Sequence, residues 1–302
     1  MSEEKQGRLR LLLIDELKIL GIAAVVLWHV AGGNISIGYM SITYQDFGLF
    51  LFIVASGMGL AYNTPSITTF THLKEFYVKR FLRIYPIYWI FVLILLIIAI
   101  ILHNFTLPTW TSLQWIETFF GFQAYVGDFN GRLSVTFWFI GLIVSLYILY
   151  PLILWANNRN RHVTIALLFI ISILSTILVS QWSSDKFAPL WFPLCRVFEF
   201  GLGIYLISII DPVKIAYHNA LLILLADLSF YVYLTHYPLI GTMPFFSGLA
   251  LPMYIVLTLV SAYILFRLDG IIQEIIRRYF PKPLSVAGAG KPAEKPRRKK
   301  RD

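Results

Sequence analysis

Residues 15–29 read DELKILGIAAVVLWH, and the fold turns on where that stretch can be placed. From Ile19 to Trp28 it carries no charge and few polar atoms, the composition of a membrane helix. Its ends differ: Lys18 stands near the start and His29 at the far end, with ten residues between them. Eleven steps of about 100° come to about 1100°, only about 20° past three whole turns. Both side chains therefore point along one helix face, about 16 Å apart along the axis. Asp15 lies one turn before Lys18 on that same face. Ionisable groups aligned on one stripe of a membrane span are costly, and their default reading is a functional site.

The whole chain has that character. Of 302 residues, 58% are hydrophobic and 14% charged, and mean hydropathy is +0.73; soluble domains run at about 45–50% apolar and about 25% charged. The single cysteine, Cys195, excludes an intrachain disulfide. The first apolar run is too long, and too polar at its start, for a cleaved signal, so it is expected to stay as the first span. The +9 net charge does not call for nucleic acid, because much of it sits in the terminal KPRRKKR and in short loops.

Windows of about 20 apolar residues mark spans near Leu11–Ala31, Asp46–Tyr62, Pro86–His103, Thr136–Ala156, Val163–Gln181, Pro189–Ile210, Asn219–Gly241 and Leu249–Arg267. The expected fold is an all-α polytopic transmembrane bundle of about eight spans, or nine to ten if the interrupted apolar stretch Leu113–Tyr125 crosses rather than lying at the interface or re-entering. Placing residues 1–10 in the cytoplasm with Lys5, Arg8 and Arg10 puts Lys74, Lys79, Arg80, Arg83, Arg159, Arg161, Lys214 and the basic tail on the same side. The outer connections then hold little beyond Arg132 and Lys186, as the positive-inside rule requires with both termini cytoplasmic. Residues 11–280 form the membrane domain, and 281–302 read as a disordered tail drawn to anionic lipid.

Further blocks carry chemistry-bearing residues. In FGLFLFIVASGMGLAYN (47–63), Ser56, Gly57 and Gly59 allow close helix approach. In FYVKRFLRIYPIYW (76–89), Arg80 and Arg83 share a face and Pro86 suits a helix start, although basic residues among Tyr and Trp also describe any inner-leaflet boundary. Arg196 and Glu199 sit one turn apart in CRVFEFGLGIYL (195–206), as a structural ion pair or as substrate contacts. In LSFYVYLTHYPLI (228–240), Ser229 and His236 share a face with Tyr233 close by; a histidine bonded to a helix carbonyl is the plainer account. Asp227 points to the other side and receives no role. His72, His103, His162 and His218 sit at span ends or in loops with no partner pattern and read as solvated. No metal-ligand pair, Walker loop, GxGxxG or GxSxG is present.

A basic residue, ten residues and a histidine in the first helix, followed by these blocks, resembles the acyltransferase 3 family of integral membrane enzymes. The resemblance extends to a matching arginine pair before an IxP (Arg80, Arg83, Pro86) and to a Trp-Phe…Tyr-Pro helix (Trp138, Tyr147, Tyr150 and Pro151 within 137–153). It continues in the Arg196–Glu199 segment and in a Ser-Tyr-x-x-Tyr-Leu-x-His-x-Pro helix. Met58 stands where the family usually has Phe, and Ile143 and Val144 stand where many members have two glutamates. Members commonly have more spans, so this chain reads as a shortened version.

The resemblance implies transfer of an acetyl or short acyl group from a cytoplasmic acyl-CoA to a hydroxyl of an envelope glycan, glycolipid or related acceptor, with no permanently bound cofactor and a multi-pass location in the cell membrane. His29 and Lys18 are the candidate catalytic residues, His29 acting as base or as acyl relay. Arg80 and Arg83 are candidates for coenzyme A phosphates, with Asp15, Arg196, Glu199, Ser229 and His236 in support. A transporter or flippase for a lipid-linked or acylated molecule, and a non-catalytic envelope-assembly partner, are the alternatives.

Overall fold

A computed structural model describes residues 10–37, 40–102, 109–127, 133–210, 219–241 and 243–279. Helices α1 (Leu12–Ala31), α2 (Tyr44–Asn63), α3 (Phe70–Leu102), α4 (Ser112–Phe120), α5 (Trp138–Trp182), α6 (Ala188–Trp191), α7 (Val197–Ile209), α8 (Ala220–Ile240) and α9 (Ala250–Tyr279) dominate it. Seven of the eight apolar windows fall on α1, α2, α3, α5 (two of them), α8 and α9, whereas Pro189–Ile210 is broken into α6, a 3-10 turn at Pro193–Cys195 and the 13-residue α7. Among the described residues, five helical stretches are long and apolar enough to cross a membrane, Val135–Trp182 counting as one. Large aliphatic side chains remain uncovered on α3 (Ile97, Ile101), α5 (Leu167, Leu174) and α9 (Ile255, Val260), a surface that water would oppose and lipid accepts. The chain is a multi-pass helical membrane protein. Lys5, Arg8, His103, Arg132, Lys214, His218 and the 281–302 tail lie outside the described residues.

Three features depart from the sequence reading, and a fourth decides between alternatives it left open. Pro86 does not open a helix, since α3 begins at Phe70 and runs through it. A proline in a helix leaves the carbonyl four residues earlier without its N–H partner. That carbonyl belongs to Leu82, and Gln273 Nε2 of α9 donates to it at 2.8 Å. The basic block therefore continues rigidly into the span.

Residues 157–162 form no separate loop, because α5 turns at one residue, Asn160 (φ −154°, ψ 96°). Tyr150 before the turn packs on Phe200 of α7. Leu168 after it lies where a Cβ on Gly201 would fall. Positions nearly equidistant from Asn160 thus reach the same turn of α7, and the two halves double back.

The stretch Leu113–Tyr125 is no additional span. It holds α4, whose nine residues make about 14 Å, too short for a hydrocarbon core of about 30 Å. Three side chains of α3 satisfy its last carbonyls: Tyr88 donates to Thr118, Trp89 to Phe119 and Tyr85 to Phe120.

Finally, α1 and α2 are joined by a β-hairpin of β1 (Asn34–Ile37) and β2 (Met40–Thr43). The alternation NISI…MSIT is a strand pattern that a helix-length window averages away.

Two glycine crossings set the helices around the site. A Cβ on Gly48 would lie 2.6 Å from the Gly21 carbonyl oxygen, so α1 and α2 touch backbone to backbone. A Cβ on Gly57 would strike the Phe200 carbonyl, and one on Gly203 the Val54 carbonyl, which brings α2 equally close to α7. Gly57 thus serves helix contact, whereas Ser56 and Gly59 border a cavity.

Candidate functional site

Asp15 is buried near the start of α1, and a buried carboxylate needs charged or hydrogen-bonding partners. It has two cations: Arg10 Nε at 2.6 Å and Lys18 Nζ at 3.6 Å. Arg10 also reaches across to α8, placing Nη2 2.6 Å from Asp227 Oδ1. This end of α1 is thereby tied to α8 by one guanidinium shared between two carboxylates. Asp227, left without a role by the sequence reading, has one here.

Above that tie lies a cavity of about 360 Å³ between α1, α2, α3, α5 and α8. Arg10, Lys18, Arg80 and Arg83 line it against a single carboxylate, Asp227, so its field is positive. Ser56, Asn63 and Ser229 add polar groups, and Ile143 presents an apolar wall where the resemblance leads one to look for a glutamate.

The two arginines differ. Arg83 Nη1 is 2.9 Å from the buried Asp269 of α9, whose carboxylate also accepts from Tyr231 at 2.5 Å and Gln273 at 3.1 Å. Arg80 has no carboxylate partner among the described residues; its guanidinium stands 5.7 Å from the Phe76 ring, and its buried Nε makes no hydrogen bond. Of the pair, Arg80 is the cation left open to an anion.

At its deep end the cavity closes on Phe52, Phe139 and Tyr233. Those three side chains also wall a void of about 20 Å³ that contains His29 together with Gln45, Thr136 and Trp138. Lys18 and His29 thus stand on opposite sides of one aromatic partition, joined by the helix face they share. His29 Nδ1 is 2.9 Å from the Val25 carbonyl oxygen. A carbonyl only accepts, so in the neutral ring Nδ1 bears the proton and Nε2 keeps its lone pair.

His236 of α8 faces it, ring centroids 5.0 Å apart. Its Nδ1 is likewise bound, at 2.8 Å to the Tyr233 carbonyl, while its fully buried Nε2 has no partner. Tyr233 donates its hydroxyl to the Thr136 carbonyl, fixing the partition.

The structure therefore gathers Lys18, Arg80, Arg83 and Ser229 at the large cavity, with Asp15 paired to Lys18, and His29 and His236 beyond the partition. Arg196 and Glu199 are not brought into this group; Nε lies 3.2 Å from Oε2, and neither residue lines the cavity or the void. That geometry fits the structural ion pair of the two readings. Sequence reasoning missed Arg10, Asp227, Asp269 and the partition. Asp227 and Asp269 both carried a usable signal, an acid within an apolar helix with no cation three or four residues away. Among the described residues, no group of three or more His, Cys, Asp or Glu side chains could hold a metal ion.

The helical membrane bundle thus holds a cation-lined cavity and, across an aromatic partition, two facing imidazoles. The chain belongs to the acyltransferase 3 family: a family model described as an acyltransferase domain matches residues 12–224. The match takes in α1 to α7 and ends inside α8, before Ser229, Tyr233, His236 and all of α9. No curated protein and no solved structure matches the chain.

Proposed function

We propose that the protein transfers an acetyl or short acyl group from acyl-CoA to a hydroxyl of an envelope glycan, glycolipid or related acceptor, working as a multi-pass protein of the cell membrane with both termini in the cytoplasm. The observation that carries this reading is the four-cation cavity that ends on the aromatic partition beyond which His29 stands. Coenzyme A is a polyanion on a long slender arm, so its phosphates belong with Arg80, Lys18 and Arg83 while the thioester points along α1. No cofactor is held permanently, and the acyl-CoA is a co-substrate.

The chemistry then falls to Nε2 of His29. It takes the proton of the acceptor hydroxyl as the oxygen attacks the thioester carbon. The new C–O bond forms, the C–S bond breaks, and the imidazolium returns its proton to the departing thiolate. If donor and acceptor arrive from opposite sides, Nε2 can instead take the acyl group, release coenzyme A, and pass the group to the hydroxyl in a second step. The test is equilibrium binding of acetyl-CoA to the purified protein, wild type against Arg80→Ala, followed by transfer assays with His29→Gln. A protein that binds no acyl-CoA is not an acyltransferase of this kind; a transporter of lipid-linked molecules has no reason to bind it.

A further inference from the structure

We infer that Phe52, Phe139 and Tyr233 act as a size filter that lets an acetyl-sized group reach His29 and holds longer acyl chains in the outer cavity. This deepens the acyl-transfer reading and rests on it. These are the three side chains common to the large cavity and the His29 void, so a group passing between them must pass these rings. The rings form a continuous row, Phe52 to Phe139 at 6.2 Å and Phe139 to Tyr233 at 5.3 Å.

The row has little freedom to open. Tyr233 is buried and anchored by its hydroxyl to the Thr136 carbonyl, and Phe139 is buried. The Phe52 ring rests against Gly21, where a Cβ would already sit 3.2 Å from Cδ2, so it has no room to retreat toward α1. Beyond the row the void is about 20 Å³, the scale of roughly one water. A two-carbon acyl group reaches Nε2 with small adjustment of this wall, whereas each added methylene must displace packed rings. Such an excess costs about 10-fold or more in kcat/KM per methylene in a tight apolar site. The outer cavity, at about 360 Å³, imposes no comparable limit. Discrimination therefore falls on delivery and not on binding: a long-chain acyl-CoA binds, blocks, and is not turned over.

The test uses membranes from cells making the full-length protein, which supply the acceptor, and follows free coenzyme A thiol released from acetyl-, butyryl- and octanoyl-CoA, with His29→Gln membranes subtracted. Wild type should consume acetyl-CoA at least about 100-fold faster than octanoyl-CoA, with octanoyl-CoA inhibiting competitively. Phe52→Ala should raise the octanoyl-to-acetyl rate ratio at least about 10-fold, and Phe52→Leu, which keeps the packing better filled, should raise it less. Binding of acetyl-CoA by each purified variant shows that it is folded. Equal wild-type rates for all three donors, or a ratio unmoved by both Phe52 variants that still bind acetyl-CoA, would overturn the filter and leave acyl transfer standing. Release from none of the three donors by wild type, with no acetyl-CoA binding, would sink acyl transfer and the filter with it.

Discussion

Around Lys18 charge is shared out, whereas none of the described residues lining the void at His29 is an acid, a lysine or an arginine. Asp15 is held by Arg10 and Lys18, Asp227 by Arg10, and Asp269 by Arg83, Tyr231 and Gln273. Three turns further along the same helix, two imidazoles face each other in a wall of aromatic rings with their Nδ1 atoms bound to backbone carbonyls. One end has redundancy and the other has none. On the proposed reading, losing one of several cations weakens a field, whereas losing the His29 lone pair removes the base.

The largest expected effect therefore belongs to His29. His29→Gln should lower acyl transfer by about 100- to 10,000-fold, the range for removing a general base, while leaving acetyl-CoA affinity within about two-fold, because the proposed phosphate contacts, Arg80, Lys18 and Arg83, line the cavity on the other side of the partition. His29→Ala should behave alike, with normal membrane insertion, since loss of one polar group from a span eases insertion. An active His29→Gln enzyme would hand the chemistry to His236, whose Nε2 is the other unbound nitrogen there. The measurement is kcat against Kd for both variants.

Next comes the cationic end. Arg80→Ala should weaken acetyl-CoA binding by about 1.5–3 kcal/mol, the worth of one charged hydrogen-bonding partner, and Arg80→Lys should recover part of it, since the charge remains and the fork is lost. Arg83→Ala should cost less in binding, because Asp269 already occupies its guanidinium. It should cost more in thermal stability, because Asp269 is left buried with one fewer donor. Titration calorimetry and melting of the two alanine variants side by side check the contrast; equal losses in both would mean that the Asp269 pair opens for the ligand.

What could be read beforehand follows the same division. The Lys18–His29 face was legible because eleven residues close three turns within one element, as was Arg80–Arg83. Arg10 was read only as topological charge, since its second partner, Asp227, stands 217 residues away. Asp227 was assigned by counting to the face of α8 opposite Ser229, yet both residues line the same cavity. The partition was invisible for another reason: in a chain with 24 phenylalanines, three apolar rings carry no signal until the fold sets them in a row. The hairpin β1–β2 was lost to the length of a helical span, whereas the apolar stretch around α4 was noticed and only its interfacial, re-entrant or spanning character stayed open.

The smallest expected effect sharpens the comparison from the structural side, at Gln273. Pro86 cannot donate to Leu82, and a bare carbonyl inside a span has no water to turn to. Gln273 Nε2 meets both that carbonyl, at 2.8 Å, and Asp269 Oδ1, at 3.1 Å, so one amide mends the helix and steadies the acid that holds Arg83. Gln273→Leu keeps the volume and removes both bonds. It should lower stability by about 1–3 kcal/mol, the cost of leaving buried polar groups unmet, seen as a lower melting temperature in detergent. Acetyl-CoA affinity should move by less than about three-fold, because Tyr231 still donates to Asp269. Glu would be the harsher change, since a second carboxylate beside Asp269 adds repulsion where the amide gave a donor. If Gln273→Leu instead abolished transfer with binding and melting unchanged, α9 would belong to the catalytic apparatus, and the division between a redundant charged end and a single reactive nitrogen would fail.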